Sequence, residues 1–490
     1  MSNAVSGDQE AQHRAVLKVL GGIVICIFLA ALDQTVVIPA IPTIASNLGD
    51  HQNLSWILTA YLLASTIAAP IYGRLSDHYG RRKLLEIALS IFIAASIVCG
   101  GANSITQLLV FRALQGLGGG GLMSLAQAAI ADAVSPRERG RYQGYLAGVW
   151  AVASIAGPLV GGYLADHASW RWLFWVNLPL GAVALFLCRR GLPARTDVRE
   201  TKVRFDGFGS AFMTVTVSSL LLLLTLGGNS FPWISPQTGV LAACTLVFGW
   251  LLKHQQVRYE NGLFPPRLFV DRALVVANLG GMLSAAAMFA SLFVLPIFYQ
   301  SVFHADATSS GLLMVPFLAS NVLGNYITGH VARSYGKMKP VLLGGVIFAA
   351  CGFFLLACFT GHIAFSVSVI FTVCTGAGMG CANVSTLMIV QNSAQQRDIG
   401  AATGMYLLLR SIGSMLGGAA VGAFLEFQIR GSAWVLSGGQ SGHEAHGVFA
   451  ISALPTGTFN ATFAGMAALM LIALFVCARS PDTALRSAPH

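Results

Sequence analysis

Three groups of residues carry chemistry that long apolar stretches do not ordinarily hold. Asp33 lies in Leu32-Asp33-Gln34-Thr35-Val36-Val37-Ile38-Pro39, inside an apolar run. A carboxylate at the centre of a membrane helix costs about 2.5–3.5 kcal/mol on insertion scales, so this one is expected to face a cavity, not lipid. Desolvation favours the neutral form of a carboxyl group, and an acid so placed can take up and release a proton. The alternative is a structural acid paired with an arginine or with backbone. Arg112, in Leu109-Val110-Phe111-Arg112-Ala113-Leu114-Gln115-Gly116, is a second charge within such a run. Its guanidinium does not titrate, so it either tunes a nearby acid or bonds helix carbonyls. The third group is Gly73-Arg74-Leu75-Ser76-Asp77-His78-Tyr79-Gly80-Arg81-Arg82-Lys83, in which four cations surround Asp77. Gly73 and Gly80 permit a turn between helices, and the lone acid among cations reads as a latch.

The elements that must position these groups are membrane helices. Of 490 residues, 55% are hydrophobic and 10% charged, against about 25% charged in soluble domains. The mean hydropathy of +0.69 excludes a soluble globular reading. Fourteen spans are expected: Ala15–Ile38, Leu54–Tyr72, Leu84–Gly101, Thr106–Ala131, Tyr142–Ala165, Trp170–Cys188, Phe208–Gly227, Ile234–Leu252, Ala273–Phe298, Ser309–Val331, Val341–Thr360, Ile363–Val390, Ile399–Leu425 and Phe459–Ala478. Ile234–Leu252 is the weakest, being short and opening near Pro232 and Pro236. The first run suits a retained span of ~20 residues better than a signal peptide, because no small-x-small cleavage site follows it. Lys and Arg cluster in alternate loops, which places those loops and both termini on the cytoplasmic side. Arg112, Arg171, Arg410 and Arg430 lie elsewhere. The net charge of +10 is therefore topology and not a nucleic-acid footprint. The nine cysteines fall in apolar runs without a Cys-x-x-Cys pair, so neither a disulfide framework nor a zinc site is expected.

An internal repeat organises the chain. Gly329-His-Val-Ala-Arg333-Ser-Tyr335-Gly336-Lys337-Met-Lys339 echoes the Gly73 loop 256 positions later, with Arg333 in place of Asp77. At an offset of 260, Gly116, Gly118 and Gly120 meet Gly376, Gly378 and Gly380, while Gly157 and Gly162 meet Gly417 and Gly422. These echoes imply two six-helix halves, 1–205 and 268–490, joined by a two-helix insert at 206–267. Gly116-x-Gly118-x-x-Gly121 matches a dinucleotide fingerprint by letter only. It lies within a span, where glycines let helices approach closely.

The Gly73–Lys83 loop fits G-x-L-x-D-x-x-G-R-R-K and resembles the loop signature of the major facilitator superfamily. Asp33, Thr35, Ala40 and Pro42 are similar to the first-helix pattern of its fourteen-helix drug:proton antiporters, although Ile38 stands where that branch often has Asn. Arg112, Gln115 and Gly116 resemble the R-x-x-Q-G pattern. Gly157-Pro158-Leu159-Val160-Gly161-Gly162 resembles the antiporter motif of the fifth helix, with Ala153 in place of its first Gly. The resemblance implies an all-α polytopic membrane protein of the major facilitator fold, in the cytoplasmic (inner) membrane, that exports lipophilic, often cationic compounds against protons by alternating access. Asp33 and Arg112 would serve coupling and substrate. Gly73, Asp77, Gly80 and Arg81 would latch onto the helix beginning near Ile399, with Asp132 completing the network. Gly157, Pro158, Gly161 and Gly162 would bend and seal the interface between halves.

Gln34, Gln115, Trp150, Asn278, Asn321, Asn383 and Tyr406 are candidate cavity-lining residues. Export of a lipid, glycolipid or endogenous metabolite is the other reading, with the outer segment 428–458 contacting a carrier or adaptor protein. An uptake symporter fits less well with Gly157-Pro158. His443-Glu444-Ala445-His446 in that outer segment is better read as a solvated loop than as a metal set. No cofactor, metal, nucleic acid or nucleophile–base set is expected; the partners are small lipophilic substrates, protons and the bilayer.

Overall fold

The computed structural model describes residues 20–49, 54–134, 136–192, 206–227, 231–259, 262–305, 307–361, 364–436 and 455–482. Its long helices are α1 (Leu20–Ala40), α2 (Leu54–Tyr79), α3 (Arg81–Gly100), α4 (Ile105–Ala133), α5 (Pro136–His167), α6 (Trp172–Gly191), α7 (Gly207–Leu226), α8 (Pro236–Arg258), α9 (Arg272–Phe303), α10 (Val315–Tyr335), α11 (Lys339–Phe359), α12 (Phe365–Ser393), α13 (Ile399–Leu436) and α14 (Thr456–Ala478). Thirteen helices among the described residues are long and apolar enough to cross a membrane. The other, α8, has a comparable length of 23 residues. Its apolar stretch is shorter, because Lys253, His254, Gln255, Gln256 and Arg258 occupy its last turns. No named strand occurs among the described residues.

Local chemistry sets the helix ends. Ser104, Asp206, Ser235 and Asp271 accept backbone N–H groups at the starts of α4, α7, α8 and α9, satisfying donors that a helix leaves unpaired. Gly80 (φ +86°) separates α2 from α3, and Gly336 (φ +67°) ends α10. Left-handed backbone at these two places favours glycine, and they stand 256 positions apart, the spacing of the loop echo.

The packing repeats as well. Gly116 and Gly120 of α4 lie against Tyr61 and Ser65 of α2, and Gly118 lies against Ala88 and Phe92 of α3. Their counterparts Gly376 and Gly380 of α12 lie against Phe317 and Asn321 of α10, and Gly378 against Gly345 and Ala349 of α11. Each glycine removes the Cβ that would hold two backbones apart, which is how membrane helices gain close contact without a hydrophobic driving force. Helices α7 and α8 form a hairpin. Its base is tied by Asp206, which accepts from Gln255 Nε2 at 3.2 Å and Gln256 Nε2 at 3.1 Å. Higher up, Ser219 and Thr245 share a 2.9 Å hydrogen bond.

Two boundaries differ most from expectation. α2 runs on through Tyr79, so the first part of the polar loop is helix and the turn is confined to Gly80. α13 continues to Leu436, past both its expected end at Leu425 and the start of the outer segment at Gln428. Residues 437–454, including His443 and His446, lie outside the described residues, as does the side chain of Glu426.

Candidate functional site

Asp33 has no exposed surface. Its Oδ2 lies 2.6 Å from an Arg112 terminal guanidinium nitrogen, and its Oδ1 accepts from Gln115 Nε2 at 2.8 Å and Asn177 Nδ2 at 2.9 Å. Arg112 is equally buried. It also donates to Gln115 Oε1 at 2.8 Å and, through Nε, to the Ile57 carbonyl at 3.2 Å. Its guanidinium stacks over Tyr61, 4.4 Å from the ring centroid, with Phe174 at 5.7 Å. Gln115 passes a further bond to Ser96 at 2.8 Å. Helices α1, α3, α4 and α6 thus converge on one carboxylate through polar groups that are themselves bonded, the condition under which a buried charge is tolerated.

The expectation that Asp33 faces a cavity is corrected: it points into the packed interior of α1–α6. Four candidate lining residues are likewise buried. Gln115 serves Asp33, and Asn321 donates to the Gly376 carbonyl at 3.3 Å. Tyr406 bonds Asn383 and Thr386, each at 3.1 Å, and Asn278 donates to the Leu274 carbonyl at 2.8 Å. Of these, Gln115, Asn321 and Tyr406 bond neighbouring helices, as polar side chains in a span do, while Asn278 bonds its own helix and its Oδ1 has no partner among the described residues. Gln34, Trp150 and Asn383 keep partly exposed surface.

At the basic end, Asp77 accepts from the Gly400 and Ala401 backbone N–H groups, both at 2.9 Å, at the N-terminus of α13. Arg81 pairs with Asp77 at 2.7 Å and, through Nε, with Asp132 of α4 at 2.8 Å, and also bonds Ser76. Gly73 and Gly400 abut, so a Cβ on either would strike the other's carbonyl oxygen. An anion is favoured at a helix N-terminus by backbone donors and the helix dipole together.

A second clasp was not anticipated. Arg74 of α2 reaches Asp398, the residue before α13, at 3.2 Å, and Arg267 binds the same carboxylate at 2.5 and 2.7 Å. Those hydrogen bonds raise the Arg267 guanidinium above its ordinary range. Arg139 of α5 is also buried and donates to the Val134 and Gln391 carbonyls, each at 3.2 Å, joining the ends of α4 and α12. The helices before and after the insert are therefore closed on each other at the basic face. Asp398 and Arg139 stand in loop-like polar runs, where their types signal only solvated charge; Asn177 lies between apolar residues, a signal of intramembrane polarity that was available.

The fifth-helix motif does not lie where it was expected. Gly157 and Gly161 pack on Thr35 and Val36 of α1, within the first group of helices and not between the halves. The Thr35 hydroxyl adds a 3.0 Å bond to the Ala153 carbonyl. Pro158 is exposed, and a Cβ at Gly162 would meet no other part of the protein within 4 Å. The face of α5 that crosses to the other group instead carries Gly144, which lies against Tyr326 of α10. Small residues suit both faces, so residue type alone does not tell which face meets which helix. Gly157→Leu would drive a side chain into Thr35, two positions from Asp33. Overpacking of this kind costs about 1–3 kcal/mol. Substrate-driven proton flux in proteoliposomes is expected to fall at least several-fold for Gly157→Leu and to stay near wild type for Gly162→Ala. Unchanged flux in Gly157→Leu would remove the α1–α5 contact from the mechanism.

Thirteen apolar spans, a glycine-repeated helix packing and a charged clasp between two helix groups define a polytopic transporter-type fold. A model of the Major Facilitator Superfamily matches residues 23–418 and 278–489. The chain belongs to that superfamily and is a multi-pass membrane protein. It is 35% identical over 404 residues to the multidrug transporter protein MdtP of Bacillus subtilis, covering 82% of this chain and 74% of the relative. It is 33% identical to the efflux pump FUS6 of Gibberella moniliformis, covering 83% and 73%. Among solved structures, human MFSD10 aligns with a TM-score of 0.62 at 14% identity, covering 94% of this chain and 99% of that one, a likeness of fold.

Proposed function

We propose that the chain exports lipophilic compounds across the cytoplasmic membrane in exchange for protons, with both termini and the basic face on the cytoplasmic side. The observation that carries this reading is the fully buried Asp33–Arg112 pair, the one mid-span carboxylate among the described side chains. Protonation of Asp33 removes its attraction for Arg112 and frees the Gln115 and Asn177 donors, so α1 loses its tie to α4 and α6. Thr35 and Val36 pass that change to α5, which touches α10 across the interface. The clasps at Asp77 and Asp398 hold the cytoplasmic side shut, so the geometry belongs to the outward-facing half of an alternating-access cycle. Each pH unit supplies about 1.4 kcal/mol per proton, and 100 mV of membrane potential about 2.3 kcal/mol per charge. The names of the relatives, a multidrug transporter and an efflux pump, support export over uptake. The test is dye transport by purified protein in liposomes under an imposed pH gradient. Dye is expected to move against its own gradient and opposite to the protons, and to stop when a protonophore is added. Flow in the same direction as the protons, or flow indifferent to the protonophore, would overturn the reading.

A further inference from the structure

Arg410 lies well inside α13 with no acid paired to it among the described residues. It stands eleven positions after Ile399, about 16 Å along the helix and so near the midplane of a hydrocarbon core ~30 Å thick. It is partly exposed and has neither an ion pair nor a hydrogen bond among the described residues. Among the described side chains, the acids nearest the helix core are already engaged: Asp33 with Arg112, Asp77 and Asp132 with Arg81, Asp398 with Arg74 and Arg267. Glu426 is sixteen positions further on, about 24 Å away along the axis.

Arg410 shares a helix face with Tyr406, Gly413 and Gly417. Those three touch Gly281, Met282 and Ala286 of α9, so this face is turned inward. The exposed positions Leu416 and Phe427 lie on a different face of α13. One turn before Gly281 and Met282 stands Asn278, only 3% exposed, whose Oδ1 has no partner among the described residues. Thr403, two turns before Arg410 on the same face, is buried with an equally unmatched Oγ1. Buried polar atoms are rarely left unpaired without a ligand or water to meet them, and an intramembrane arginine without a counter-ion is costly unless a cavity serves it.

We infer that Arg410 forms an anion subsite with Asn278, so that the preferred substrates are lipophilic bodies carrying a carboxylate. The guanidinium takes the carboxylate, and the Asn278 carbonyl oxygen is free to take a hydrogen-bond donor of the substrate, such as an amino group. This rests on the reading of the chain as a carrier of lipophilic compounds, and it departs from the expectation of cationic substrates. Asp33 is already paired and buried, so no free mid-span anion among the described side chains is left to attract a cation.

The test is equilibrium binding of two rhodamines to the purified full chain, without a pH gradient. Rhodamine 110 carries a free carboxylate, and rhodamine 123 is its methyl ester. Wild type is expected to bind rhodamine 110 about tenfold or more tightly than the ester, the worth of one charge-assisted hydrogen bond. Arg410→Gln should erase that preference. Asn278→Asp, nearly isosteric, should erase it as well by placing an anion beside Arg410. The ratio of the two affinities is read within each preparation, so a general loss of folded protein does not mimic the effect. No preference in wild type, or a preference surviving in either variant, overturns the inference. Binding needs no proton gradient, so failure of proton coupling would leave this result standing, and coupled transport without the preference would sink the subsite alone.

Discussion

Asp33→Asn is expected to abolish uphill export of dye while leaving downhill exchange in place. Asparagine keeps the size of the side chain and can still accept from Asn177 and Gln115, so the fold is retained, but it cannot titrate. The loss is not only of a proton site. Arg112 would remain buried without its anion, and breaking one side of a buried pair costs about 3–5 kcal/mol. Part of that is moderated here, because Arg112 also bonds Gln115 and the Ile57 carbonyl and lies over Tyr61. Gradient-driven accumulation in liposomes should fall to the level set by passive equilibration. Wild-type accumulation by Asp33→Asn would show that the coupling carboxylate lies elsewhere, with Asp132 and Glu426 the next to examine.

Asp77→Asn should have the second largest effect. The carboxylate holds two backbone N–H groups of α13 and the Arg81 guanidinium at once. These bonds exist only while the basic face is closed, so their loss destabilises that state relative to one open there. A charge at a helix N-terminus contributes about 0.3–1 kcal/mol when exposed and up to ~2 when partly buried. The shift in the opening equilibrium is then several-fold to some thirtyfold. The Arg74–Asp398–Arg267 clasp remains in the single variant, so Asp77→Asn/Asp398→Asn should open the face further than either change alone. Distances between spin labels on α2 and α13 would read this directly, alongside dye binding that stays within about twofold. Normal transport and an unchanged distance distribution in the double variant would remove the latch.

The sequence was most informative where chemistry is local. The Gly73–Lys83 loop permits a turn at Gly73 and Gly80, and the resemblance sets Asp77 against the helix near Ile399; the turn falls at Gly80 alone, Gly73 being helical, and Asp77 accepts from the Gly400 and Ala401 N–H groups. Asp33 and Arg112 stand out because charges within apolar runs are rare. Their pairing was one open alternative among others, since the residues are 79 positions apart and their relative rotation depends on how four helices pack. Gly157 shows the limit from the other side. A small-residue motif announces close packing but does not name its partner, and the partner proved to be α1 and not the opposite half. Asp398 and Arg267 were illegible because each reads alone as a loop charge, Asp398 in a polar run and Arg267 between Pro266 and Leu268. Only the approach of the chain before α9 to the start of α13 makes them a pair.

The most direct test of the account is proton release on substrate binding. Purified protein in weakly buffered detergent is mixed with a saturating rhodamine dye, and the pH change is followed with an indicator or electrode. Wild type is expected to release protons in a pH-dependent amount, and Asp33→Asn to release none at equal dye occupancy. Release of the same size from Asp33→Asn, or none from wild type at any pH, would contradict the claim that substrate and proton compete through the Asp33–Arg112 pair.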